Sequence, residues 1–126
     1  MKNLGCFYHL TWATKYRQKM FSDIEFRESM MELIEGSFAY IGKTFEILVV
    51  DIDHVHILLE CSPNKPISQT VNRIKSLSAR RWNRLYNTPF SPVWQKGYSV
   101  STVSFSRYED LEKYLDHHNL KRKANG

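Results

Sequence analysis

Residues 45–61 read FEILVVDIDHVHILLEC. The run is too rich in Ile, Val and Leu for a loop, and it exceeds the roughly five or six residues of an ordinary strand. It therefore predicts two antiparallel strands, Phe45 to Asp51 and His54 to Cys61, folded back at Ile52-Asp53, where an aspartate suits a tight turn. Pro63 and Pro66 end the second strand. Val55, Ile57 and Leu59 alternate onto one of its faces, so His54 and His56 share the other.

Working outward, Phe7 to Tyr16 abounds in aromatic and β-branched residues, and Tyr8, Leu10 and Trp12 fall on one face of a half-buried strand. Ser22 and Glu25 stand at capping-box spacing, and Ile24, Met31, Ile34, Phe38 and Ile41 recur at helical spacing until Gly42. On the other side, Ile67, Val71, Ile74, Ser78 and Leu85 mark one side of a helix reaching Tyr86, which Pro89 and Pro92 stop. Tyr98 to Val103 supplies a fourth strand. Ser106 and Glu109 form a second capping box, opening a helix with the apolar stripe Tyr108, Leu111 and Leu115. The tail Lys121-Arg122-Lys123 is expected to fray. An order βαββαβα with antiparallel neighbours predicts an α+β, ferredoxin-like or RRM-like βαββαβ sheet, with two helices on one face and the last helix near the other. That fold hosts many functions, so the chemistry must be read from side chains.

The 126 residues fit a single domain, 1–126, and no Pro/Gly/Ser-rich linker divides them. Hydrophobic content is 42%, yet no apolar run approaches the roughly 18 to 20 residues of a membrane helix. Met1 to Gly5 show no secretory signal, so a cytoplasmic location and no membrane partner are expected. Cys6 and Cys61 form no CxxC pair and read as reduced, buried thiols. A net charge of +5 points to a polyanion as partner. No P-loop glycine pattern is present, so no ATP site is expected.

At strand pitch the Cα atoms of His54 and His56 lie about 6.8 Å apart, close enough for both rings to converge on one divalent ion. A bare HxH is equally two solvent-facing histidines, and specificity needs a third ligand. His118 lies one turn after Tyr114, and an i, i+4 pair shares one side of a helix. From spacing alone, a surface histidine and an amphipathic tyrosine fit these two positions as well as a ligand and a nucleophile do. Tyr8 and Tyr40 suit the core, Tyr108 the apolar stripe, and Tyr16, Tyr86 and Tyr98 element ends. A phenol of pKa ~10 is a poor nucleophile, so a tyrosine enzyme needs a metal or an equivalent to help the phosphate accept attack. Arg73, Arg80 and Arg84 occupy a narrow arc of the second helix, with Lys75 and Arg81 nearer its apolar edges, a pattern suited to phosphates or to plain solvation. Trp82 and Trp94 suit base stacking, though the core is their commoner place. Asp51, Asp53, His9 and His117 are further polar candidates near the site, though a turn aspartate or an exposed histidine is the commoner reading of each.

Asp53-His54-Val55-His56 followed by Ile57-Leu58-Leu59 resembles the HUH motif of the single-tyrosine transposases of small bacterial and archaeal insertion sequences. His9-Leu10-Thr11-Trp12, Thr14-Lys15-Tyr16-Arg17, the 76–81 stretch, Trp94-Gln95-Lys96-Gly97-Tyr98, Ser101-Thr102-Val103 and Tyr114-Leu115 are similar to that family in the same order. The resemblance implies Tyr114 as nucleophile, His54 and His56 as ligands of magnesium or manganese, and a 5′-phosphotyrosine intermediate on single-stranded DNA. It also implies hairpin DNA recognition, through a basic surface for which Arg73, Lys75, Arg80, Arg81 and Arg84 are the candidates, and a homodimer whose subunits join their sheets. His118 departs from the family, which commonly has glutamine as third ligand, and an imidazole there favours softer ions such as manganese or zinc. A domesticated hairpin-processing relative, a non-catalytic nucleic-acid-binding module and a water-using metal phosphohydrolase are the alternatives that the sequence leaves.

Overall fold

The computed structural model describes residues 6–62, 66–115 and 120–123. Its elements are β1 (Cys6–Ala13), a short 3-10 turn (Lys15–Arg17), α1 (Ile24–Tyr40), β2 (Ile47–Val50), β3 (His54–Glu60), α2 (Ile67–Leu85), β4 (Ser99–Ser104), α3 (Phe105–Leu115) and β5 (Leu120–Lys123). The strands form one sheet in the order β4-β1-β3-β2-β5, with every pairing antiparallel.

Period-two alternation divides the sheet between two apolar clusters. Leu10 and Trp12 of β1, Leu48 and Val50 of β2, and Val55, Ile57 and Leu59 of β3 meet Met30, Met31, Ile34 and Phe38 of α1 and Val71, Ile74 and Trp82 of α2. Ile47, Val49 and Leu58 project from the opposite face onto Leu115, Tyr108 and Leu111 of α3. Ile57, fully buried between β1 and β2, is a keystone of the larger cluster, and truncation to alanine would cost about 2 to 5 kcal/mol. Gly42 ends α1 at φ 72, a left-handed value that glycine adopts without a Cβ clash.

Several expected details are corrected. Asp23, not Ser22, is the N-cap of α1, and no side-chain cap bond forms, because the Ser22 hydroxyl donates to the Lys19 carbonyl. Ser106 lies inside α3, which follows β4 without a break, and its hydroxyl meets that of Ser104. Ile24, the first residue of α1, and Leu85, the last of α2, are exposed rather than part of the core. The basic tail does not fray. Residues 120–123 pair with β2 as a fifth strand, Arg122 binds Glu35 at 2.9 Å and Glu28 at 3.4 Å on α1, and Lys123 pairs with Glu112 on α3. Cys6 and Cys61 face each other across β1 and β3 as free thiols, and burial, then the neighbouring thiol, pushes the Cys61 pKa up to about 12.

Candidate active site

Thr11 pairs with His56, and Ala13 with His54, so the odd residues of β1 share a sheet face with both histidines. This is the face opposite the α1/α2 layer. Where α3 does not cover it, the face opens into a cavity of 580 Å³ lined by Thr11, Arg17, His54, His56, Lys96 and Tyr98, among others. The 93–97 segment forms one wall. Lys15 and Gln95 exchange backbone bonds with Val93 and Ala13 around the Thr14–Trp94 bridge, and the Trp94 indole N–H donates to Ser78 on α2 at 3.0 Å.

His54 and His56 turn their Nε2 atoms toward each other, 3.1 Å apart. Their other ring nitrogens are engaged. His54 Nδ1 meets Asp53 Oδ1 at 2.8 Å, and His56 Nδ1 meets His9 Nε2 at 3.1 Å. Burial alone would raise the Asp53 pKa, but hydrogen bonds from His54 and Arg17, and their charges, outweigh it and hold the carboxyl below its ordinary value. An ionised carboxylate only accepts, so His54 donates from Nδ1, which leaves Nε2 facing His56. Burial lowers the His9 pKa and so disfavours the charged ring. The contact between His9 Nε2 and His56 Nδ1 holds the His56 ring with its Nε2 turned toward His54.

At 3.1 Å the two Nε2 atoms can share one proton or, when both are unprotonated, one cation. Nitrogens 3.1 Å apart, each about 2.1 Å from one ion, subtend about 95° at it, which suits octahedral and tolerates tetrahedral coordination. Asp53 behind His54 and His9 behind His56 supply the outer hydrogen bonds that orient metal-binding imidazoles. The pair thus fits a divalent ion as two ligands of a larger set. Among the described residues no group of three or more His, Cys, Asp or Glu is arranged to hold a metal. The expected third ligand, His118, and His117 lie outside the described residues.

Tyr114 sits in the last turn of α3, 60% exposed, and lines a second cavity of 730 Å³ together with His9, Ser101, Arg107 and Asp110. His9 therefore belongs to both arrangements, touching His56 and facing the cavity of Tyr114. Tyr108 is unsuited to attack. It stacks on Phe7 at 4.6 Å, and burial, then the charges of Glu112 and Glu46, raises its pKa.

A sequence model of the family described as transposase, IS200-like, matches residues 2–118. The chain belongs to the IS200-like transposase family. Enzymes of this family cleave and rejoin DNA. Over 116 residues this IS200-like chain is 28% identical to the ISDra2 transposase TnpA of Deinococcus radiodurans, covering 86% of the chain and 81% of that protein. It is 27% identical to the transposase of insertion sequence element IS200 from Salmonella typhimurium, covering 90% and 76%. The crystal structure of a Deinococcus radiodurans protein assigned as a transposase superposes with a TM-score of 0.68 at 29% identity, covering 90% of this chain and 92% of that one. A REP-associated tyrosine transposase bound to a REP hairpin shares the fold, with a TM-score of 0.60 at 14% identity over 90% of this chain and 64% of that one.

The basic residues of this IS200-like chain divide into two groups. Arg73, Arg80 and Arg84 are exposed on α2, across the sheet from His54 and His56, so they do not join the histidine face. Lys75 is held at the edge of the open cavity, where its ammonium donates to the carbonyls of Gln95 at 2.8 Å and Gly97 at 2.6 Å and supports the wall. Gly97 turns there at φ 88, a backbone that suits glycine. Arg81 stands over the Tyr40 ring at 5.2 Å. Trp82 is buried in the larger core and Trp94 packs against it, so neither offers a free face for bases. Three more residues belong to the site: His9 and Asp53, which the sequence offers as polar candidates but fits better as an exposed histidine and a turn aspartate, and Arg17, whose guanidinium binds Asp53 at 3.1 and 3.4 Å. For His9 the signal was its place on the polar parity of β1, but only the β1–β3 register turns that into contact with His56.

Proposed function

We propose that this chain cuts single-stranded DNA with Tyr114 and rejoins it, using a divalent ion held by His54, His56 and His118. The observation that carries the reading is the convergence of the two Nε2 atoms, each backed by its own hydrogen-bond partner, on the sheet face that also carries the cavity of Tyr114. Magnesium or manganese suits the site, and an imidazole from His118 would shift the preference toward a softer ion. Bound there, such an ion would withdraw charge from a non-bridging phosphate oxygen and align the scissile bond.

In the cutting step the Tyr114 oxygen bonds to phosphorus and loses its proton, while the bond from phosphorus to the 3′ oxygen breaks and that oxygen takes up a proton. The product is a 5′-phosphotyrosine and a free 3′ hydroxyl. Because the diester is conserved, a 3′ hydroxyl can attack it, release Tyr114 and join a new strand without ATP. Asp53 and His9 hold the two imidazoles in the required tautomers during both steps.

The sheet reads as a split βαβ core, βαββαβ, to which α3 brings the tyrosine and β5 adds an edge. That edge is blunted by Lys121 and Lys123, whereas β4 at the other edge is almost wholly exposed and carries only Ser, Thr and Val. An edge without lysine or proline is open to pairing, so β4 is the strand through which two copies would join their sheets as a homodimer. The relative solved with a REP hairpin supports hairpin DNA as a partner, and the arginines of α2 are the surface for its phosphates. The test is incubation with labelled single strands from the flanks of the gene, with a divalent ion or with a chelator. A denaturation-resistant protein-DNA adduct that requires the ion and is lost in His56→Ala is expected. Cutting in chelator without an adduct would overturn the proposal.

A further inference from the structure

Two consecutive non-glycine residues after β1, Tyr16 at φ 58 and Arg17 at φ 52, occupy the left-handed region, an uncommon and costly conformation for bulky side chains. Such strain persists only where the surroundings enforce it, and here they do. Thr14, fully buried, donates its hydroxyl to the Gln18 carbonyl at 2.7 Å and its amide to the Asp53 carbonyl at 2.9 Å. Lys15 donates to the Val93 carbonyl at 2.8 Å, and the Arg17 guanidinium is clamped on Asp53.

The core gains nothing from this turn. Tyr16 belongs to neither apolar cluster and is 77% exposed. The Lys15 ammonium stands over its ring at 5.2 Å, and the next residue, Arg17, lines the cavity that holds His54 and His56. An exposed aromatic ring thus stands next in sequence to a residue that lines the site, with a cation on each side in sequence. A ligand with a flat π face and flanking negative charge matches it, and an unpaired nucleotide has both.

We propose that Tyr16 is a stacking platform for an unpaired base of the strand being cut, with Lys15 and Arg17 meeting the phosphates beside it. The inference rests on the single-stranded DNA reading of the site, and the experiment separates the two. The full chain is titrated with fluorescent oligothymidylate and with an abasic deoxyribose-phosphate oligomer of equal length, in wild type, Tyr16→Ala, Tyr16→Phe and Tyr16→Gly. Tyr16→Ala is expected to weaken oligothymidylate binding about 5- to 150-fold and to leave abasic binding unchanged, with Tyr16→Phe restoring wild-type affinity. Tyr16→Gly is expected to bind as weakly as Tyr16→Ala yet to melt no lower than wild type, because relief of the left-handed strain offsets the extra chain entropy of glycine. Equal weakening toward both oligomers, or no weakening toward either, overturns the platform while leaving the cutting site standing. A wild type that binds neither oligomer overturns the single-stranded DNA reading, and the platform with it.

Discussion

Asp53 joins His54 to Arg17, so replacing it isolates the support of the metal pair from the pair itself. Its Oδ1 takes the His54 Nδ1 proton at 2.8 Å, and its two oxygens take Arg17 at 3.1 and 3.4 Å. Asp53→Asn keeps the shape and one acceptor. The amide N–H₂, however, must face either the imidazole N–H or the guanidinium, donor against donor, and the charge that fixes the His54 tautomer is gone. Removing an outer partner of a metal-bound histidine costs about 10- to 100-fold in metal affinity, or about 1.4 to 2.7 kcal/mol. The Arg17 guanidinium is largely exposed, so the fold itself should lose less than about 1 kcal/mol. Manganese binding followed by the signal of the free ion, with thermal melting in chelator alongside, reads both quantities. Affinity falling at least tenfold with little change in melting is expected. Affinity unchanged within a factor of two would refute the orienting role, and a collapse of the melting temperature would mean that Asp53 acts on the fold instead.

Burial gives folded His9 a pKa below its ordinary value of 6.5, so the unfolded chain binds that proton more readily. The stability this contributes is complete above about pH 6.5 and is lost as pH falls through the folded value; in chelator the melting temperature should drop over that range, and His9→Phe should flatten the drop. Replacing Arg80 and Arg84 together should reduce the slope of log affinity for hairpin DNA against log salt by about 0.7 to 0.9 per lost phosphate contact, and an unchanged slope would move the DNA path off α2. Light scattering at micromolar concentration should give a particle of twice the 14.9 kDa chain, and a monomer with and without DNA would argue against pairing through β4.

Strand parity was the most legible feature. The alternation in 54–60 put His54 and His56 on one face because a side-chain period of two is a property of any strand, and their Nε2 atoms do converge. Contacts that depend on register were not legible. His9 lies diagonally across from His56, two residues before Thr11, its directly paired neighbour, and nothing local in β1 announces that. The sequence extends the first strand to Tyr16, because Thr14 and Tyr16 are β-prone; the buried hydrogen bonds of Thr14 override that propensity. The fifth strand was missed for a related reason. Lys121-Arg122-Lys123 has no apolar alternation, and it is held by the open edge of β2 and by Glu28, Glu35 and Glu112, partners distant in sequence. Neither serine caps its helix, because the Ser22 hydroxyl donates to the Lys19 carbonyl and Ser106 lies within α3 against Ser104.

The central claim is that the oxygen of Tyr114 becomes bonded to DNA, and peptide mapping of the adduct tests it most directly. Tyr114→Phe keeps the ring on α3 and removes only the attacking oxygen, so melting, manganese affinity and DNA affinity should match wild type. Wild type incubated with its single-stranded substrate, digested with protease and nuclease, should yield a nucleotide on the peptide containing Tyr114 and a free 3′ hydroxyl on the other fragment. The variant should yield neither. A nucleotide mapped to Tyr108 or to any other residue, or cutting that persists in Tyr114→Phe, would contradict the assignment.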